Sequence, residues 1–222
     1  MGSVSRLGRP PATDSARTRK RILDSARSCF VTHGYDQTTM KNIAAEAGIT
    51  AGALYHHFTS KQDLFAAAYH RHQVEAFEAF EIAAETSVGT TADLAEKISG
   101  ILDVAGDLHE SDRRLAAFIA VATIELHRHP ELRELVGDAA RTVPRFFDRL
   151  LSAYPEAVAE ADRAAVVNML VAMFNGLSVF AAGTRGSTTH RAAIEAFKRM
   201  LAGTLFGTQA AAAPGANASP RS

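Results

Sequence analysis

The residues with most to offer chemically fall within one stretch, Thr38 to Lys61, which reads TTMKNIAAEAGITAGALYHHFTSK. Lys41 and Lys61 are cations on long stems, and Thr39 and Thr50 are hydroxyls at positions where helices would begin. Tyr55 and His56 carry ring donors about one turn after Thr50. Nothing here pairs a nucleophile with a base. What these groups can do is hold anions. Hydroxyl, imidazole and ammonium groups donate to phosphate oxygens, and the free N–H groups at a helix start do the same with the helix dipole behind them. Between them, Ala51, Gly52 and Ala53 are small enough for the backbone to sit deep in a groove. The chemistry expected is recognition of a nucleic-acid duplex, with Lys41 as a base-reading or phosphate contact.

The rest of the chain offers little else. There is no Gly-rich phosphate loop, no Gly-x-Ser-x-Gly elbow and no Cys-x-x-Cys. The single cysteine, Cys29, follows the apolar period of its segment and reads as packing rather than as a nucleophile. His127-x-His129 beside Glu125, and His70 with His72, offer imidazoles two residues apart. On a helix that spacing points side chains to different faces, whereas metal ligation usually uses three or four. The expectation is therefore no enzyme, no cofactor and no metal. A pure interaction scaffold is the remaining rival, and it predicts no salt-dependent DNA binding.

The elements that must position Thr38–Lys61 follow from period and caps. One short helix runs over 40–47, capped by Thr39 and stopped by Gly48, and a second begins after Thr50 and ends near His57. Neither is long enough to be stable alone. Ile43, Ala44, Ala47, Ile49, Leu54 and Phe58 must pack onto a preceding helix over 15–33, whose Ile22, Ala26 and Phe30 recur every four residues before Gly34. Ser60 caps the next helix, with Asp63 completing a capping box. A short, crossed pair of helices is how a protein offers a helix end to the major groove.

This stretch, with the preceding RKRILDSARSCFVTHGY, resembles the TetR family of bacterial regulators. The matching residues are Phe30, Gly34-Tyr35, Thr38-Thr39, Ile43-Ala44, Ala47-Gly48-Ile49, Gly52, Leu54-Tyr55, His57-Phe58 and Ser60-Lys61. The resemblance implies DNA contacts from Thr39, Lys41, Thr50, Ala51, Gly52, Ala53, Tyr55, His56 and Lys61. Many family members carry a longer polar residue or a proline near Ala51. A methyl group there shifts specificity toward Lys41, His56, thymine methyl contacts and DNA shape. Arg9, in Gly8-Arg9-Pro10, is either a minor-groove arm or part of a solvated basic tail.

Beyond residue 72 the chain reads as longer helices over 73–86, 91–108, 112–128, 131–152, 160–182 and 188–206. The fold class expected is all-α with about nine helices. A disordered basic arm (1–14) precedes a three-helix helix-turn-helix DNA-binding domain (15–72). A ligand-binding and dimerisation domain (73–207) and a disordered tail (208–222) follow. Charge divides the same way: residues 1–72 hold 10 Lys/Arg against 5 Asp/Glu, whereas the remainder holds 14 against 19. No run of about 18 apolar residues is read, so no membrane span is expected, and a cytoplasmic location follows.

The resemblance implies that the second domain binds a small effector and pairs with a second copy. Phe118, Thr123, His127, Phe147, Met169, Met173 and Asn175 are the ligand candidates, with Thr123, His127 and Asn175 the stronger ones because polar groups amid apolar neighbours need partners. Val167, Leu170, Phe174, Ile194, Phe197 and Leu201 are the dimer candidates. The function implied is that of a ligand-responsive regulator, usually a repressor in this family. It would bind a near-palindromic operator as a homodimer and release it on binding an apolar or aromatic effector.

Overall fold

The computed structural model describes residues 11–86, 94–184 and 186–205. Arg9, the rest of the expected arm up to residue 10, and the tail beyond 205 lie outside the described residues. Among those described there are ten α-helices, one 3-10 helix and no strand.

Helix α1 (Pro11–Gln37) carries the expected 15–33 segment and starts earlier, at a proline. It breaks at Gly34, whose φ of 73° and ψ of 171° no helix can hold. Helices α2 (Met40–Glu46) and α3 (Ala51–His57) follow as expected. The next, α4 (Lys61–Thr86), is one continuous helix, so there is no separate start at residue 73. It begins at the expected Ser60 cap: the Asp63 amide donates to Ser60 Oγ at 3.0 Å, and the Asp63 carboxylate accepts at 2.8 Å from the Ser60 hydroxyl, where a full capping box would use the Ser60 amide. The Thr59 hydroxyl, followed by that of Ser60, donates to the Asp63 carboxyl and holds it below its ordinary value.

Helices α5 (Leu94–Ser111) and α6 (Arg113–Arg128) meet at Asp112, which caps α6 by accepting from the Arg114 and Leu115 amides. The expected single helix over 131–152 is instead three pieces. They are α7 (Pro130–Val136), a 3-10 helix (Gly137–Arg141) and α8 (Thr142–Ser152). Gly137 ends α7 with a positive φ of 38°, and Pro144, which has no N–H, sits in the first turn of α8. The chain closes with α9 (Glu160–Gly183) and α10 (Ser187–Leu201).

Two apolar clusters organise these helices. The first joins Ile22, Phe30, Ile43, Leu54 and Phe65 of the N-terminal helices to Phe118 and Ala122 of α6 and Leu132 of α7. The second lies among α4, α5, α8, α9 and α10 around Phe80, Leu102, Phe147, Leu170 and Phe174. Helix α6 therefore belongs to both halves: it packs against α1 on one side and α9 on another.

Helix α9 changes two expectations. By length and composition it could cross a membrane, since an 18-residue window reaches a mean hydropathy of 1.8. It serves here as a bundle helix, with Val167, Leu170, Phe174 and Leu177 buried against its neighbours. Met169 and Phe180 of the same helix, larger than Val167, stay exposed, so the side a residue falls on and not its size decides which ones the chain's own core takes. Val167, Leu170 and Phe174, with Ile194 of α10, are thus covered within one chain rather than offered to a second, and Phe197 and Leu201 are half-buried against the same core. The open side of α9 carries Ala165, Met169, Ala172, Gly176, Val179, Phe180 and Gly183 instead.

Candidate nucleic-acid interface and ligand cavity

The helix-turn-helix is built by caps and one glycine. Thr39 is extended and its hydroxyl accepts from the Asn42 amide at 3.2 Å, starting α2. Thr50 does the same for α3, accepting from the Ala53 amide at 3.1 Å. Between them Gly48 takes a φ of 63°, which lets its amide and that of Ile49 turn back onto the Ala45 and Ala44 carbonyls. Met40, Ile43, Ala44, Ala47, Leu54 and Phe58 are buried beneath. That burial decides the other face. Thr39, Lys41, Thr50, Ala51, Gly52, Tyr55 and His56 are all exposed and Ala53 is half-buried, with Tyr55 at 54% of its full surface. The tip beginning at Thr50 is open to a groove.

Lys61 behaves differently from its expected role. Its ammonium turns inward, donating to the Tyr35 carbonyl at 2.7 Å and the Asp36 carbonyl at 3.3 Å, and lies 4.2 Å from the centre of the Tyr35 ring. Burial lowers its pKa against the opposing pull of Asp36 and Glu125. The cation ties the start of α4 to the end of α1. On the other side of the same turn, the Tyr35 amide donates to Glu125 Oε1 of α6 at 3.1 Å. Nothing in the local sequence around either residue announces this pairing. Cys29 lies close by, buried, with its thiol pushed up by burial and then by Glu46, as packing requires.

A second network fastens α1 to α4. Arg27, nearly buried, pairs with Asp24 at 2.5 Å and Glu75 at 3.4 Å, and Arg71 pairs with Glu75 at 2.6 Å.

The body holds a cavity of about 420 Å³ among α4, α5, α6, α8 and α9, within the range usual for small-molecule sites. Thr123, His127 and Asn175 line it. The other four ligand candidates do not. Phe118 sits in the N-terminal core, its ring 5.8 Å from Phe65 and 6.5 Å from Phe30. Phe147 is fully buried among Phe146, Phe80 and Phe174. Met173 packs into that core, and Met169 points outward with 54% of its surface exposed. An apolar residue is spent on packing far more readily than a polar one, which explains the split.

Sequence reading missed the wall contributed by α4, where Tyr69, His72, Gln73, Ala76 and Phe80 form one stripe facing the cavity. Their spacing of three and four was a legible signal, obscured by the break expected at residue 73. From α5 and α9 come His109 and Ser178, joined at 3.1 Å. His109 also meets His190 of α10 at 3.4 Å. Burial lowers the His109 pKa to about 4, aided by His190, and burial with the nearby Arg27 charge lowers that of His72 to about 3. Both rings are neutral at pH 7. His127 and His129 diverge as their spacing requires: His127 faces the cavity, whereas His129 lies 3.4 Å from Glu125 and from Asp36.

Comparison with known proteins agrees with this two-part plan. Residues 22–68 match the family described as "Bacterial regulatory proteins, tetR family", and residues 93–205 match "Tetracyclin repressor-like, C-terminal domain". Among curated relatives, the HTH-type transcriptional repressor Rv1474c of Mycobacterium tuberculosis is 44% identical over 50 residues, or 22% of this chain and 27% of that one. The HTH-type transcriptional repressor AcnR of Corynebacterium diphtheriae is 40% identical over 55 residues, 25% of this chain and 29% of that one. The chain therefore matches under a third of these relatives' length. Among solved structures, the fatty acid degradation regulator FadR from Bacillus halodurans shares the fold with a TM-score of 0.71 at 19% identity, covering 83% of this chain and 97% of that one. FadR from Bacillus subtilis, solved with stearoyl-CoA, gives 0.67 at 19% identity over 83% and 98%. Because the profile of the helix-turn-helix and that of the helical body both match in order along it, the chain belongs to the TetR family of bacterial regulatory proteins.

Proposed function

We propose that the protein is a transcriptional repressor that binds a near-palindromic operator as a homodimer and releases it when a small, mostly apolar effector enters the cavity. The reading head spans residues 15–72 and the body 73–207, with α4 running through both. The dimer forms through the open stripe of α9, where Ala172, Gly176 and Gly183 let a second helix approach closely. Two heads then sit about 34–36 Å apart, one turn of DNA. Working on the chromosome, the protein is cytoplasmic.

The observation that carries the ligand response is the double role of α6. Ile119, Thr123 and Leu126 line the cavity, while Phe118, Ala122 and Glu125 of the same helix contact the head. A ligand that prefers one placement of α6 shifts the heads, and about 1.4 kcal/mol of preference weakens operator binding tenfold. Footprinting on the DNA upstream of the protein's own gene, with and without candidate ligands, tests this. Protection that falls steeply with salt and is lost on adding a ligand is expected. Protection absent at low salt overturns the regulator reading.

A further inference from the structure

The cavity has a polar side whose hydrogen bonds are incomplete. His190 donates to the Leu177 carbonyl, so Nε2 of the neutral ring accepts from His109. That leaves the other His109 nitrogen to accept from Ser178, whose single hydroxyl proton it shares with the Phe174 carbonyl, also 3.1 Å away. This chain is closed within the protein. The α4 stripe is not. His72 is nine-tenths buried, and its Nδ1 has no partner. Tyr69 OH accepts from Gln73 Nε2 at 2.6 Å, which leaves its own proton to give. Burial raises the Tyr69 pKa, so that proton is retained. An unpartnered buried polar group costs about 1–3 kcal/mol, and both groups line the same cavity one turn apart on α4.

Charge narrows the choice. No Asp or Glu is among the described lining residues, so an organic cation finds no counter-ion among them. The one cation among the described lining residues, Arg133, is exposed and donates to the Leu126 and His127 carbonyls at the end of α6, and both lining histidines with lowered pKa values are neutral. A carboxylate held between Tyr69 and His72 would thus be buried with only that exposed, solvent-screened guanidinium as a cation in the described lining. Much of the remaining wall, including Phe80, Ile119, Val171 and Phe174, is apolar, with Thr123, His127 and Asn175 as further polar side chains, none of them acidic.

We infer that the cavity takes an uncharged amphiphile, an apolar body with one hydroxyl or carbonyl oxygen held between Tyr69 and His72. This rests on the effector reading above and adds the chemical class. The oxygen accepts from Tyr69; a hydroxyl also exchanges a hydrogen bond with His72 in either tautomer.

Octanol, octanone, octanoate and octylammonium share a chain and differ in head group, so thermal shift and calorimetry with these four test the assignment. Octanol or octanone should raise the Tm and bind most tightly. A preference for octanol identifies the hydroxyl, and equal binding identifies the acceptor oxygen alone. Tyr69→Phe and His72→Phe should each weaken that binding about five- to tenfold; if His72→Phe does not fold, Tyr69→Phe decides. Tightest binding of octanoate or octylammonium, binding unaffected by the substitutions, or no binding of any probe overturns the assignment. Operator affinity measured in parallel separates the two readings. Release by a charged probe keeps the effector response and removes the ligand class. Binding of octanol that depends on Tyr69 but leaves operator affinity unchanged does the reverse.

Discussion

The Tyr35 amide donates to the Glu125 carboxylate at 3.1 Å, so a residue of α6 closes the end of a helix ninety positions earlier. Gly34 causes the need: by leaving helical geometry it deprives the next amide of its backbone partner, and Tyr35 is buried. A Cβ at residue 34 would come within 3.4 Å of Glu125 Oε1. With Lys61 of α4 holding the Tyr35 carbonyl at 2.7 Å, one residue of the head is gripped through its amide by α6 and through its carbonyl by α4. Glu125→Gln keeps an acceptor oxygen and should leave the Tm and operator affinity near those of the parent. Glu125→Ala orphans a buried donor and should lower stability by about 1–3 kcal/mol. Urea unfolding of the two variants checks this, and equal stabilities would mean that the bond carries no weight.

Substitutions on the open face of the head should separate binding from folding. Lys41→Ala should weaken operator binding and reduce its salt slope by about 1 if the ammonium meets a phosphate. Tyr55→Phe should cost about fivefold through one lost hydrogen bond. Neither should move the Tm, because both side chains are exposed. Fluorescence anisotropy at several salt concentrations, beside circular dichroism melts, measures both quantities.

Lys61→Ala should behave otherwise. Its ammonium bridges two carbonyls of the α1 turn and covers the Tyr35 ring, so its removal should destabilise the fold by roughly 1–3 kcal/mol. A variant that melts like the parent but binds operator poorly would return Lys61 to the DNA-facing set.

The two sides of α9 should respond oppositely to a charge. Gly176→Glu lies on the open stripe and should leave a folded monomer, raising the dimer dissociation constant on the order of a hundredfold or more. Leu170→Glu lies in the chain's own core and should prevent folding. Sedimentation, with far-ultraviolet circular dichroism, distinguishes the outcomes. A Gly176→Glu dimer as tight as the parent would remove the α9 stripe from the interface.

Acid should weaken the body through His72 and His109. Their pKa values are lowered from 6.5 to about 3 and about 4, chiefly by burial. The unfolded chain takes up protons below pH 6.5 that the fold excludes. The stability present above that pH is therefore lost as it falls toward 4, at roughly 1 kcal/mol per pH unit for each ring. His109→Gln removes one titrating group and should flatten the slope; denaturant midpoints between pH 7.5 and 4.5 measure it.

Local chemistry was legible. The caps at Thr39, Thr50 and Ser60, the breaks at Gly34 and Gly48, and the exposed tip from Thr50 all follow from side chains acting on their own or neighbouring turns. Less legible were the breaks at Gly137 and the continuity of α4 through residue 73, where a glycine and an unbroken apolar stripe outweighed the expected boundaries.

By itself, then, the sequence determined a helical chain and the helix-turn-helix at its start, because caps, glycines and apolar period act within a few residues. Only the tertiary structure decided that α9 turns Leu170 inward and Met169 outward, that His72 rather than Phe118 faces the cavity, and that Glu125 and Lys61 hold Tyr35. Those outcomes depend on which helices meet. A buried donor or an apolar face accepts whichever partner packing brings to it, and that partner lies tens of residues away.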